Sequence, residues 1–268
     1  MFISSVSTSF YEKAIYKTSN RMINAHFHDK NELYYLESGR VRYFIDNEIF
    51  LLEPGDMIFV PKNTFHKTDY SNIKNVERSL FTFDDDELGE DNQKHIDKLK
   101  KNKFIRIKTG KRHELQNIIH QIEKENTKKD NQYLKMQKLY FEQLLILISR
   151  HSVDKEEIKI NKSHALAQDI SKYITENYNG DLSLYSISKK FSMSESHLSR
   201  FFKAATGMGL SEYINISRIT AAEKMLLNSQ MPITQIATEC GFNDSNYFAA
   251  VFKKFKGITP KKYALINK

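Results

Sequence analysis

The C-terminal part of this chain is written twice. When residues 182–207, LSLYSISKKFSMSESHLSRFFKAATG, are laid over residues 232–257, PITQIATECGFNDSNYFAAVFKKFKG, Ile187 meets Ile236 and Met193 meets Phe242. Beyond one extra residue in the second turn, Leu198 meets Phe248, Phe202 meets Phe252, Gly207 meets Gly257 and Tyr213 meets Tyr263. A solenoid normally needs three or more repeats, so two copies point to a pair of units built on one plan. Each copy holds a short helix with an aliphatic pair, a small residue (Ser188 or Ala237) where helices approach, a tight turn, and a second amphipathic helix. That is the order of a helix-turn-helix. Ser194, and either Asn243 or Asp244, suit the N-caps of the second helices, and Gly207 and Gly257 suit their left-handed ends. Leu198, Phe201 and Phe202 form an inward stripe, which leaves Ser196, Ser199, Arg200 and Lys203 facing outwards.

Between the copies, residues 211–228 read as one helix with Ile214, Ile219, Ala222 and Leu226 inward. At about 1.5 Å per residue it spans roughly 27 Å, against about 34 Å between successive major grooves of DNA. A rigid spacer of that length, with the helices' own width added, can set both second helices into adjacent grooves. Charge agrees: residues 165–268 carry 13 Lys and Arg against 8 Asp and Glu, a large share of the net +8 of the chain. Such an excess favours a polyanionic partner, here double-stranded DNA.

At 268 residues the chain is long enough for two domains. From Met22 to His66, short apolar groups (LYYL, VRYFI, DMIFV) alternate with turn signals at Glu37-Ser38-Gly39, Asp46-Asn47 and Pro54-Gly55. This reads as antiparallel strands closing a barrel or sandwich, with VERSLFTF and FIRI as further strands and DDDELGED as an acidic loop between them. Helices are predicted over 112–126 and 131–151. The second carries Leu134, Leu139, Phe141, Leu144, Leu145 and Ile148, and either covers the barrel or forms a homodimer interface. Residues 152–164 are polar and read as a linker, which divides the chain into 1–151, an effector-binding and dimerisation domain, and 165–268, the DNA-binding domain. The fold class is therefore two-domain α+β, an antiparallel β-barrel with flanking helices followed by an all-α double helix-turn-helix. One cysteine, Cys240, no signal-peptide layout and no long apolar run favour a bacterial cytoplasmic protein that does not enter a membrane.

The run MPITQIATECGFNDSNYFAAVFKKFKGITPKKY resembles the signature segment of the AraC/XylS family of transcription regulators, and the likeness extends over roughly residues 165–265. The resemblance implies base contacts from Ser196, Ser199 and Arg200 in the first unit, and from Ser245, Asn246, Ala249 and Ala250 in the second. The two alanines offer only apolar contact, for instance to a thymine methyl, whereas Arg200 suits a bidentate contact to guanine. Lys203, Lys253 and Lys254 suit phosphates. The resemblance also implies an effector-responsive activator that recruits RNA polymerase.

The spacing His26-x-His28-x3-Glu32-x6-Gly39, followed by Gly55-x5-Pro61-x-Asn63-x2-His66, resembles the two motifs of the cupin superfamily. Asn20 and Asn63 stand where that pattern has glycines. In metal-binding cupins the residues matching His26, His28, Glu32 and His66 hold a divalent ion, a donor set that suits zinc, iron, manganese or nickel. Three readings stay open: a metal site, a metal-free effector pocket and a structural cluster. Tyr34, Tyr43 and Arg42 are near enough in sequence to join the pocket, whose polar aromatic walls suit a small polar effector such as a sugar. Apart from that ion no cofactor is expected. A regulator, rather than an enzyme, is the first functional expectation, and a metal-dependent cupin enzyme tethered to DNA is the alternative. A buried thiol at Cys240, matched to Phe191 of the first copy, is expected to be inert.

Overall fold

The computed structural model describes residues 10–16, 27–45, 48–70, 75–153 and 162–267, the side chains of 162–164 and 267 excepted. His26, Asn20, Met22 and the Asp46-Asn47 turn lie outside the described residues. Eight strands form the N-terminal half: β1 (Tyr11–Tyr16), β2 (Asn31–Ser38), β3 (Val41–Ile45), β4 (Glu48–Leu52), β5 (Asp56–Val60), β6 (His66–Asp69), β7 (Val76–Phe83) and β8 (Phe104–Arg106). They make a five-stranded sheet in the order β1-β7-β2-β5-β8 and a three-stranded sheet in the order β4-β3-β6. Every pairing is antiparallel.

The LYYL run of β2 is continuous because both of its faces are covered. Tyr34 and Leu36 point between the sheets with Val41, Tyr43, Ile45, Ile58 and Val60. Leu33 and Tyr35 point the other way, into a layer of helices. That layer consists of α1 (Gln93–Lys101), α2 (Arg112–Lys128) and α3 (Tyr133–His151). From α3, Phe141, Leu144, Leu145 and Ile148 are buried against the large sheet, and the Phe141 ring lies 5.2 Å from Phe81 and 5.0 Å from Phe83. Thus α3 covers the barrel with its main apolar stripe, and Leu134 and Leu139 remain exposed at 60% and 51%.

The acidic DDDELGED segment is not a loop. It forms two short 3-10 turns, Asp85–Leu88 and Glu90–Asn92, which lead into α1. Leu88, Ile96 and Leu99 bury the inner side of this stretch at helical spacing, beneath the charges that dominate the sequence. The segment read as a linker also begins differently. Ser152 bridges to Ile107, and the Val153 amide donates to the Arg106 carbonyl (2.8 Å), so the first two of its residues extend the barrel.

The C-terminal half is helical: α4 (Lys162–Glu176), α5 (Leu184–Lys190), α6 (Glu195–Thr206), α7 (Leu210–Asn228), α8 (Ile233–Glu239), α9 (Ser245–Lys256) and α10 (Pro260–Asn267). α6 and α9 are the second helices of the two units. Ser194 Oγ accepts from the His197 amide (3.3 Å), and of the two candidates in the second unit it is Asp244 that caps, accepting from the Asn246 amide (2.8 Å). Gly207 and Gly257 end both helices with φ of 73° and 77°, a conformation that costs other L-residues energy. Ile187, Leu198 and Phe202 pack with Ile170 and Ile174 of α4, while Ile236, Phe248 and Phe252 pack with Ile219 and Leu226 of α7.

The two halves are in contact. Phe44 and Ile49 on the outer face of the small sheet, with Phe65, belong to the same apolar cluster as Phe202, Leu210 and Tyr213. Phe44 meets Tyr213 edge-on at 5.5 Å. A sheet with apolar residues on both faces needs cover on both, and here the first helix-turn-helix supplies it.

Candidate DNA-reading face and barrel site

On α6, Ser196, Ser199, Arg200 and Lys203 are exposed, as the periodicity requires. Arg200 Nε donates to the Ser196 carbonyl (3.2 Å), which lays the side chain along its own helix and leaves the rest of the guanidinium outward. On α9, Asn246, Ala250, Lys253 and Lys254 are exposed, and Ser245 and Ala249 are half-buried. The face also holds a residue that sequence reasoning passed over. Tyr247, 53% exposed, accepts from Asn215 Nδ2 of α7 (3.0 Å), and its hydroxyl proton is available for a phosphate or base. An aromatic at that position looks like core in the sequence, and its outward phase relative to Phe248 was the available signal. The Lys256 side chain, by contrast, is turned inward: it pairs with Glu223 (2.6 Å) and sits over the Phe27 ring at 3.8 Å.

Inside the barrel, β2 and β6 and the segment before β2 bring His28, Glu32 and His66 together. One ligand atom from each lies within 4.8 Å of the others. His28 Nε2 is 3.3 Å from Glu32 Oε2, the His28 and His66 rings are 4.8 Å apart, and the Tyr43 hydroxyl donates to Glu32 Oε1 (3.2 Å). Each histidine is oriented by a backbone carbonyl: His28 Nδ1 donates to Lys30 O (2.6 Å) and His66 Nδ1 to Thr64 O (3.0 Å). A carbonyl can only accept, so both Nδ1 atoms carry the proton. Asn63, which replaces a motif glycine, adopts φ 60°, a region that asparagine tolerates, and its amide holds the His28 carbonyl (2.7 Å). The departure from the motif therefore leaves the turn intact.

Burial works to raise the Glu32 pKa, but the hydrogen bond from His28 and the charges of His66, His28 and Arg78 overcome it and bring the carboxyl down to about 2. Burial likewise disfavours a charged His28, and the contact with Glu32 outweighs it, so the imidazole pKa rises. Both shifts describe an imidazolium–carboxylate pair enclosed by protein. Burial pushes the Tyr43 hydroxyl well above its ordinary range, so it stays a neutral donor to Glu32.

Two neighbours are placed apart from this cluster. Tyr34 turns its hydroxyl to Tyr70 (3.3 Å), though its ring meets Tyr43 at 5.2 Å. Arg42 does not join the pocket: it faces the other half of the molecule, where its guanidinium donates to the Ala204 carbonyl and lies 3.5 Å from Asp69. On a strand, Tyr43 and Arg42 cannot both face inward, and Tyr43 does.

The residues flanking the histidines connect the site to the helical half. Phe27 and Phe65 meet as tilted rings with centroids 5.3 Å apart and pack on the shared apolar cluster. Lys67, next to His66, donates to the Gly207 carbonyl at the end of α6, and Asp69 lies against Gly207. Cations at the C-terminal end of a helix meet its negative dipole end.

Residues 187–265 match the helix-turn-helix domain family, and residues 15–75 match the cupin domain family. The HTH-type transcriptional activator RhaR of Mannheimia succiniciproducens is 27% identical over 89% of this chain and 86% of its own length. The protein of the same description from Escherichia coli is 31% identical over 56% of this chain and 53% of its own, so that match spans about half its length. Among solved structures, ToxT from Vibrio cholerae aligns over 97% of this chain and 100% of its own at 16% identity and a TM-score of 0.39. Among the described residues, no helix is long and apolar enough to cross a membrane. Both domain families are matched in the order that the resemblance to AraC/XylS regulators implies, a cupin domain followed by a helix-turn-helix domain, and the chain is a DNA-binding transcriptional regulator built on that plan.

Proposed function

We propose that this protein activates transcription in the bacterial cytoplasm in response to a small polar ligand taken up in the barrel, and that it does so by recruiting RNA polymerase. One observation carries the coupling. His28 and His66 face the barrel site, while their immediate neighbours Phe27, Phe65 and Lys67 pack on or bond to the helical half. Strand geometry ties the two faces together, so a ligand that moves either imidazole moves a residue at the domain contact. The relatives named as transcriptional activators support activation over repression, and support a binding role over an enzymatic one. A sugar suits the tyrosine-rich interior. Arg200 is the residue we assign to base reading in the first unit, and Lys203, Lys253 and Lys254 to phosphates. A homodimer through α3 would use the exposed Leu134 and Leu139.

A second reading has its own support. The Nδ1 atoms of His28 and His66 are held by backbone carbonyls, which leaves Nε2 as the atom able to bind a metal, and a histidine that binds a metal commonly donates its other ring N–H in this way. These three residues, with His26 as the sequence motif implies, would hold a divalent cation, which would act as the signal by fixing both strands at once. Holding it requires the proton on His28 to leave.

Thermal-shift screening of the full chain against sugars, small metabolites and divalent metals tests both readings. A shift with a sugar that is lost in His66→Ala supports the first, and a shift with a metal alone supports the second. A ligand whose shift survives His66→Ala unchanged places the effector elsewhere and contradicts both.

A further inference from the structure

The two helix-turn-helix units are joined by more than the length of α7. Arg218, half-buried on α7, extends its guanidinium to three places at once. Nε donates to the Tyr178 carbonyl (2.9 Å), Nη2 to the Gly180 carbonyl (3.3 Å), and Cζ lies 5.7 Å from the centre of the Phe242 ring. Tyr178 and Gly180 belong to the segment between α4 and α5 that leads into the first unit. Phe242 belongs to the turn of the second.

The contact leaves little slack. Gly241, beside Phe242, has φ 82°, and a Cβ there would lie 2.9 Å from the Tyr178 carbonyl oxygen and 3.0 Å from both Arg218 Nε and Asn179 Cα. The turn of the second unit is thus pressed against the segment that enters the first, with Arg218 between them. Tyr178 also packs on the apolar cluster of the second unit, and Asn215, one turn before Arg218, holds Tyr247 of α9. The planar fork of arginine can serve two carbonyls and stack on a ring together, which a lysine ammonium cannot.

We propose that Arg218 is a positioning residue for DNA recognition: it locks the rotation between the two units, so that the chain rejects sites whose two halves have the wrong spacing. This rests on the DNA-binding reading of both units. One inserted base pair turns one half-site by roughly 35° relative to the other, from about 10 to 10.5 base pairs per turn. A locked pair cannot follow that rotation, and an unlocked pair can.

The test uses the full chain and a duplex selected by the wild-type protein from a random pool, with one or two base pairs inserted or removed between the segments protected by the two units. Wild type is expected to lose about tenfold in affinity per misplaced base pair. Arg218→Lys and Arg218→Gln are expected to bind the original duplex a few-fold more weakly and to lose about threefold or less on respacing. Their salt dependence should match wild type, because Arg218 touches no phosphate in this account. The spacing penalty is compared in whichever variants melt cooperatively, and the lysine variant, which keeps stem and charge, is the gentler. A folded variant that keeps the full wild-type spacing penalty overturns the proposal, as does full function of Arg218→Lys together with a reduced salt slope in Arg218→Gln. Failure to select any duplex would instead overturn the DNA-binding reading itself.

Discussion

His66 and Lys67 are consecutive on β6 and face opposite halves of the molecule: the imidazole lies in the barrel site with His28 and Glu32, and the ammonium donates to the Gly207 carbonyl that ends the first recognition helix. No residue separates the site from the domain contact. The Lys67 side chain is buried there, and burial lowers its pKa.

Lys67→Met should separate coupling from stability. The thioether keeps most of the packing, and relief of a buried ammonium offsets the loss of one hydrogen bond, so denaturant unfolding should change by only about 1 kcal/mol. The variant should still bind the barrel ligand, yet DNA affinity should respond to that ligand less than in wild type.

Arg200 and the lysines of α9 should differ in kind. Arg200→Ala should relax preference at one base position by about 1 to 3 kcal/mol. Lys253→Gln and Lys254→Gln should weaken binding to all sequences alike and lower the salt slope by about one each. Binding titrations at several salt concentrations on specific and scrambled duplexes distinguish these outcomes. A uniform loss in Arg200→Ala would reassign it to phosphate.

Phe141 joins α3 to the large sheet through Phe81, Phe83 and Phe10. Truncation to alanine should cost about 3 to 5 kcal/mol, because the cavity lies among rings with little freedom to collapse. Calorimetry should show the loss in the transition of the barrel. An unchanged profile would mean that α3 is not part of that core.

Cys240 is buried, and burial pushes its thiol up to about 11. At pH 8 only about a thousandth would be thiolate, so a disulfide reagent should label the native protein far more slowly than the unfolded one. Labelling at the rate of a free thiol would contradict that burial.

Much of the helical half was legible because duplication, caps and apolar phase all agreed: Ile187 with Ile236, Ser194, Gly207 and Gly257 take the expected places. The barrel site was legible through His28, Glu32 and His66, whose spacing survives even where Asn63 replaces glycine. Three features were not. α1 was hidden because Leu88, Ile96 and Leu99 are sparse among charges. Phe44 and Ile49 alternate in the same way whether the covering layer is their own domain or the next, so the contact between the halves left no mark in the sequence. Arg42 lay close to Tyr43 in sequence, and the pleat sent it to Ala204 instead.

The measurement that bears most directly on the account is the affinity of the full chain for its selected duplex, with and without a ligand shown to bind at His28, Glu32 and His66. Coupling between sites of this kind is typically about 5- to 150-fold. Wild type is expected to change its Kd within that range, and Lys67→Met by less. A ligand that saturates the barrel site of wild type and leaves the DNA Kd unchanged would contradict the account.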